Sequence, residues 1–153
     1  MKKHAKIILV ICTALTLIFI WGNSFLPSDV SSGESGFVMK LLTPLLEIFT
    51  GKGNVTEHLV RKLAHFTEYT VLGVELGLLF GVMKRNKDRI VWRCWPLIFL
   101  HSIGIALIDE TIQIFTGRGP AITDVWIDTA GATLGSSVVL LIIFLGNISS
   151  KRK

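Results

Sequence analysis

Acidic residues are scarce in this chain. Only 11 of its 153 residues are Asp or Glu, against 16 Lys or Arg, and none precedes Asp29. Cysteine is scarcer still. Cys12 and Cys94 supply no disulfide framework, and both read as free thiols without a chemical role. The chain has no H-E-x-x-H zinc motif and no G-x-S-x-G nucleophile elbow, which removes the two most readable hydrolase signatures. No internal repeat or low-complexity tract is evident. What the chain has in excess is oil: half of it is hydrophobic and its mean hydropathy is +0.60. That is too apolar for a soluble domain, and the length fits one domain, residues 1–153.

Four long helices are expected, at about residues 5–22, 59–83, 95–116 and 125–145. The first follows Lys2, Lys3 and Lys6 and is long enough to cross a bilayer. No A-x-A-like cleavage site follows it, so it reads as a retained helix rather than a signal peptide. The segment 23–58 is more polar. Within it, Phe37 to Phe49 is apolar but short and contains Pro44, which fits an amphipathic helix lying at the interface or packed on loops. Pro96 suits the first turn of the third long helix. The fold class is therefore all-α: an integral membrane four-helix bundle with a short interfacial helix between helices one and two.

Residues 109–135, DETIQIFTGRGPAITDVWIDTAGATLG, hold four of the eleven acids. They read as a helix end, a turn broken by Gly117, Gly119 and Pro120, and a helix start. Asp109 and Gln113 share a helix face. So do Asp124, Asp128, Gly131 and Gly135, and Gly131-x-x-x-Gly135 would admit a close helix neighbour. On the second long helix, Arg61, His65, Glu68, Leu72 and Glu75 form a polar stripe.

Basic residues sort by position. Lys2, Lys3 and Lys6 start the chain, Lys84 to Arg93 carry net +4, and Lys151 to Lys153 end it. Four crossings put all three clusters on the cytoplasmic side, with both termini inside. Trp21, Trp92, Trp95 and Trp126 lie near helix ends, where an aromatic belt belongs. The formal net charge of +5 is thus assigned to membrane orientation, not to nucleic acid.

This orientation gathers Arg61, Lys62, His65, Glu68, Asp109, Glu110, Gln113, Arg118, Asp124 and Asp128 on the outer side. Ions at membrane depth are costly and commonly mark a wet, functional interior. Blander readings stand beside this one. Arg61 and Lys62 could snorkel as interfacial anchors, Asp124 could cap its helix, His65 could be a hydrogen-bonded interior histidine, and the set could be a structural ion network. Asp128, one turn further in, would need a buried partner such as Arg118 or Arg61. Deeper down, Glu75 and His101 fall at similar depth and could pair, a point the sequence leaves open. His65-x-x-Glu68 with Asp109 is too thin a set to read as a metal site, and no cofactor is expected.

Three blocks carry a family resemblance: RKLAHFTEYTVLG at Arg61–Gly73, DETIQIFTGR at Asp109–Arg118 and DVWIDTAGATLG at Asp124–Gly135. Together with SFLPSDVSSGES after the first helix, they resemble the VanZ family over nearly the whole chain. The chain has Thr116 where that pattern often has Pro, and Asp128 where it often has Asn. The resemblance implies a small bacterial membrane protein, since the founding member is associated with low-level resistance to the glycopeptide teicoplanin. It adds Tyr69 to the motif residues. The leading expectation is that the outward pocket binds a polar, anionic envelope or glycopeptide-related group. Arg61, Lys62 and Arg118 would grip it, among membrane lipids and lipid-linked envelope precursors. The alternatives are a membrane-embedded hydrolase or transferase using His65 as acid or base with Glu68 or Asp109, and a structural or assembly protein.

Overall fold

A computed structural model describes residues 3–26, 28–83, 90–117, 119 and 121–151. The described residues are all-helical, with no strand: α1 (Lys3–Phe25), α2 (Ser28–Thr50), α3 (Glu57–Met83), α4 (Ile90–Phe115) and α5 (Ile122–Lys151). Three helices contain stretches long and apolar enough to cross a membrane: His4–Phe25, Cys94–Phe115 and Ile122–Asn147. Their outward faces carry large apolar side chains such as Ile18, Leu100 and Ile142, each about two-thirds exposed. Lipid, not water, is the solvent that suits such a surface.

Two expectations are corrected. The helix between the first and second long helices is not a short one. α2 runs 23 residues from Ser28 and passes through Pro44 without a break. One proline withholds a single backbone donor, and the bonds on either side carry the axis through. Likewise α4 starts at Ile90, so Pro96 stands inside the helix and not in its first turn.

The connections obey local chemistry. After α2, Gly51 takes φ +85° and its N–H bonds the Glu47 carbonyl at 3.0 Å, a left-handed stop that a side chain would resist. The Thr56 hydroxyl then accepts the Leu59 N–H at 3.2 Å and caps α3. Between α4 and α5, Gly117 and Gly119 take φ +70° and +63°, as their sequence expected of a tight turn.

α3 is the helix that touches all four others, and its broadest contact is with α5. Glycine makes that contact. A β-carbon on Gly73 would strike the Ala132 carbonyl, and one on Gly135 would strike the carbonyl of Thr70. Gly77 and Gly131 stand at the same seam, against Ser136 and Phe66. The two backbones therefore touch directly, a small-residue packing suited to membranes. Gly131-x-x-x-Gly135 was read from the sequence; its counterpart, Gly73-x-x-x-Gly77, was not. The other face of α3 meets α1 and α4 around Tyr69, Leu72, Ile20, Ile98 and Ala106, all buried.

Candidate functional site

The polar residues expected to converge do so at the end of the molecule where α1 and α4 finish and α3 and α5 begin. α3 supplies Arg61, Lys62, His65 and Glu68, α4 supplies Asp109, Glu110 and Gln113, and α5 supplies Asp124 and Asp128. Arg118 lies outside the described residues. Helical spacing explains the convergence. Four-residue steps on α3, α4 and α5 point each set at the same axis.

Asp109 is fully buried. Its Oδ2 accepts a hydrogen bond from Gln113 Nε2 at 3.1 Å, the same-face pair expected from the sequence, and lies 3.9 Å from His65 Nδ1. Asp128 is 1% exposed. Among the described residues no donor reaches either of its carboxylate oxygens, so of the two expected partners Arg61 is not met, and Arg118 lies outside the described residues. Lys62 Nζ meets Asp124 Oδ1 at 2.7 Å at a partly exposed rim. Asp124 thus ties α5 to α3, and Thr123 Oγ1 donates to it at 3.3 Å.

Glu110 has a structural task that its residue type alone did not suggest. Its Oε2 accepts the Ala121 N–H at 2.8 Å, so a side chain near the end of α4 clamps the chain just before α5. Thr116 adds a second tie by donating to the Ser24 carbonyl of α1 at 3.1 Å. Glu68 faces α1, where Asn23 Nδ2 donates to its Oε1 at 3.3 Å. Tyr69 is fully buried one turn below His65, with a hydroxyl that has no partner among the described residues.

Glu75 and His101 do not pair. Glu75 Oε1 accepts from Thr16 of α1 at 3.0 Å. His101 is exposed, holds the Leu97 carbonyl of its own helix at 2.7 Å and meets the Phe80 ring edge-on. Equal depth did not mean equal facing.

Two cavities among the described residues bear on the site. Arg61, Lys62, His65, Gln113, Asp124, Ile127 and Asp128 line a polar pocket whose inner space is about 10 Å³, room for about one water. Beside it, Leu15, Thr16, Phe19, Glu68 and Val71 line a wider open groove of about 310 Å³ between α1 and α3.

A family model for VanZ/LLP1 matches residues 8–145. The chain belongs to the VanZ/LLP1 family. The match takes in every site residue named above, and with the apolar helices it makes this chain a VanZ-like membrane protein. No curated protein and no solved structure gives a significant match to it.

Proposed function

We propose that this VanZ/LLP1 protein acts at the bacterial cell envelope, binding a polar or anionic envelope or glycopeptide-related group at an outward-facing pocket and lowering glycopeptide action. α3 crosses the bilayer as the fourth span. Its charged residues are tolerated because they face α1, α4 and α5 instead of lipid. Four crossings leave both termini and the 84–93 loop in the cytoplasm, where their basic residues belong, and turn the polar pocket outward.

One observation carries this reading: side chains from three helices, far apart in sequence, line a single polar pocket with Arg61 and Lys62 among them. The inner space is small and the Lys62–Asp124 pair spans the rim. An incoming anion therefore takes Lys62 from Asp124, with Arg61 beside it. Arg118, in the turn, is the third cation of the grip. A lipid-linked envelope precursor supplies such an anion as phosphate, and a glycopeptide as carboxylate.

A second reading is a hydrolase or transferase on a lipid-linked substrate. It is favoured by His65 standing 3.9 Å from a buried Asp109 that Gln113 holds in place, a carboxylate–imidazole arrangement suited to proton transfer.

The test is teicoplanin susceptibility of cells expressing wild type or variants at matched membrane levels. Wild type should protect. Lys62→Gln and Arg118→Lys should lose most protection, while His65→Gln should keep it. Loss with His65→Gln alone favours the enzyme. Wild-type cells as sensitive as cells lacking the protein would sink the resistance role.

A further inference from the structure

Two residues that line the pocket, His65 and Asp128, meet a third, the fully buried Asp109, in a relation no sequence spacing reveals. His65 of α3, Asp109 of α4 and Asp128 of α5 each present a ligand atom, and these atoms lie within 4.8 Å of one another. We propose that His65, Asp109 and Asp128 form a binding site for a divalent transition-metal ion of the zinc class. The inference concerns the floor of the pocket and does not rest on which group, if any, the rim binds.

Three observations support it. Asp128 is 1% exposed, and neither carboxylate oxygen meets a donor among the described residues. A buried carboxylate in that position calls for a cation. The space beside it, about 10 Å³, holds one water or one ion and no organic ligand. The donors come from three different helices, so a bound ion would be fixed on rigid elements.

The donor set selects the metal class. One imidazole and two carboxylates suit zinc, manganese or ferrous iron better than calcium or magnesium, which take oxygen ligands. No thiol competes at the pocket: Cys12 is exposed on α1 and Cys94 Sγ faces the Phe80 carbonyl. Ligands at about 2.0–2.1 Å in a tetrahedron stand roughly 3.3 Å apart. His65 and Asp109, at 3.9 Å, are close to that spacing, and all three ligand atoms lie within 4.8 Å of one another. Gln113, donating to Asp109 Oδ2, would orient that carboxylate, as partners of metal-bound carboxylates commonly do. The remaining coordination position opens on the pocket, where a water fits. Among the described residues at this end of the molecule, the carboxylates Glu68, Asp109, Glu110, Asp124 and Asp128 outnumber the cations Arg61 and Lys62, so a dication moves the site toward balance.

The experiment uses the full-length protein purified in detergent, stripped with chelator and dialysed against Zn²⁺, with bound metal measured by elemental analysis. Co²⁺ is added in a parallel sample to read ligand-field absorption. Wild type should retain about one Zn²⁺ per chain and give the visible bands of a low-symmetry cobalt site. Asp128→Asn and His65→Ala should each weaken Zn²⁺ binding by more than about 100-fold, and Gln113→Ala by about 10-fold. Glu47→Gln, whose carboxylate accepts the Gly53 N–H and does not line the pocket, should leave it unchanged. Should Asp128→Asn not fold, as judged by circular dichroism, His65→Ala decides. Wild type without stoichiometric metal overturns the proposal. So does metal retained equally by the His65 and Asp128 variants, which places it elsewhere. Metal bound by Arg118→Gln but not by wild type overturns it too, because Arg118 is then the resident cation.

Discussion

Replacing Gly135 by alanine tests one of the tightest helix approaches among the described residues. The added β-carbon would meet the Thr70 carbonyl oxygen, with the Thr70 carbonyl carbon at 3.1 Å and the Val74 nitrogen at 2.9 Å. All three obstacles are backbone, so no rotamer change can clear them. α5 must move off α3 by about 1 Å, which forfeits roughly a quarter to a half of the dispersion attraction along the seam. Overpacking costs about 1–3 kcal/mol, and an immovable obstacle puts this site near the top of that range. Alanine's better helix propensity offsets at most about 1 kcal/mol. The net expectation is about 2 kcal/mol of destabilisation, or roughly 30-fold in the unfolding equilibrium. Gly104→Ala is the control: nothing lies within 4 Å of its β-carbon position, so it should be neutral or stabilising by up to about 1 kcal/mol. Gly73→Ala parts the same two helices against Ala132. Combined with Gly135→Ala it should cost less than the sum, because the first change has already opened the gap. Reversible unfolding in mixed micelles, followed by tryptophan fluorescence, measures all four proteins. If Gly135→Ala and Gly104→Ala agree within about 0.5 kcal/mol, the backbone-contact argument is wrong.

Glu110→Ala should cost about 1.5–3 kcal/mol by stranding the Ala121 N–H, read as lower thermal stability and faster amide exchange at the α4–α5 turn. Lys62 and Asp124 meet at a partly exposed rim. A double-mutant cycle with Lys62→Gln and Asp124→Asn should therefore give a coupling of no more than about 1 kcal/mol, shrinking with added salt. Orientation is tested with Cys12 and Cys94 changed to Ser and one new thiol introduced. Thr123→Cys should react with an impermeant maleimide on intact cells, and Asn86→Cys only after permeabilisation. The reverse pattern would invert the proposed topology.

The polar stripe of α3 was legible because helical periodicity alone places Arg61, His65 and Glu68 together, and the structure joins His65 to Asp109 and Glu68 to Asn23. The same rule gave Asp109 with Gln113. What periodicity cannot give is which neighbour a stripe faces. His101 precedes Asp109 by eight residues, about 80° around the helix after two full turns. With Asp109 turned toward His65, His101 lies at an exposed edge of α4 against Phe80 of α3, and Glu75 finds Thr16 of α1 instead. α2 was misread for a compositional reason: Ser, Gly and Pro weigh against helix locally, yet the segment is helical from Ser28. The role of Glu110 was not legible, since nothing in its sequence neighbourhood singles out the backbone N–H of Ala121, eleven residues on. Asp109 with Asp128 was missed for a related reason, because their meeting depends on how α4 and α5 cross.

The glycine seam also dictates which way the molecule can breathe. Helices that touch backbone to backbone have no slack between them, so α3 and α5 travel as one body. The α1 side is different: there the wall is thinned by a channel past Leu15, Phe19 and Val71 that reaches Glu68. Among the described residues, movement is therefore freer where α1 meets α3 than where α3 meets α5.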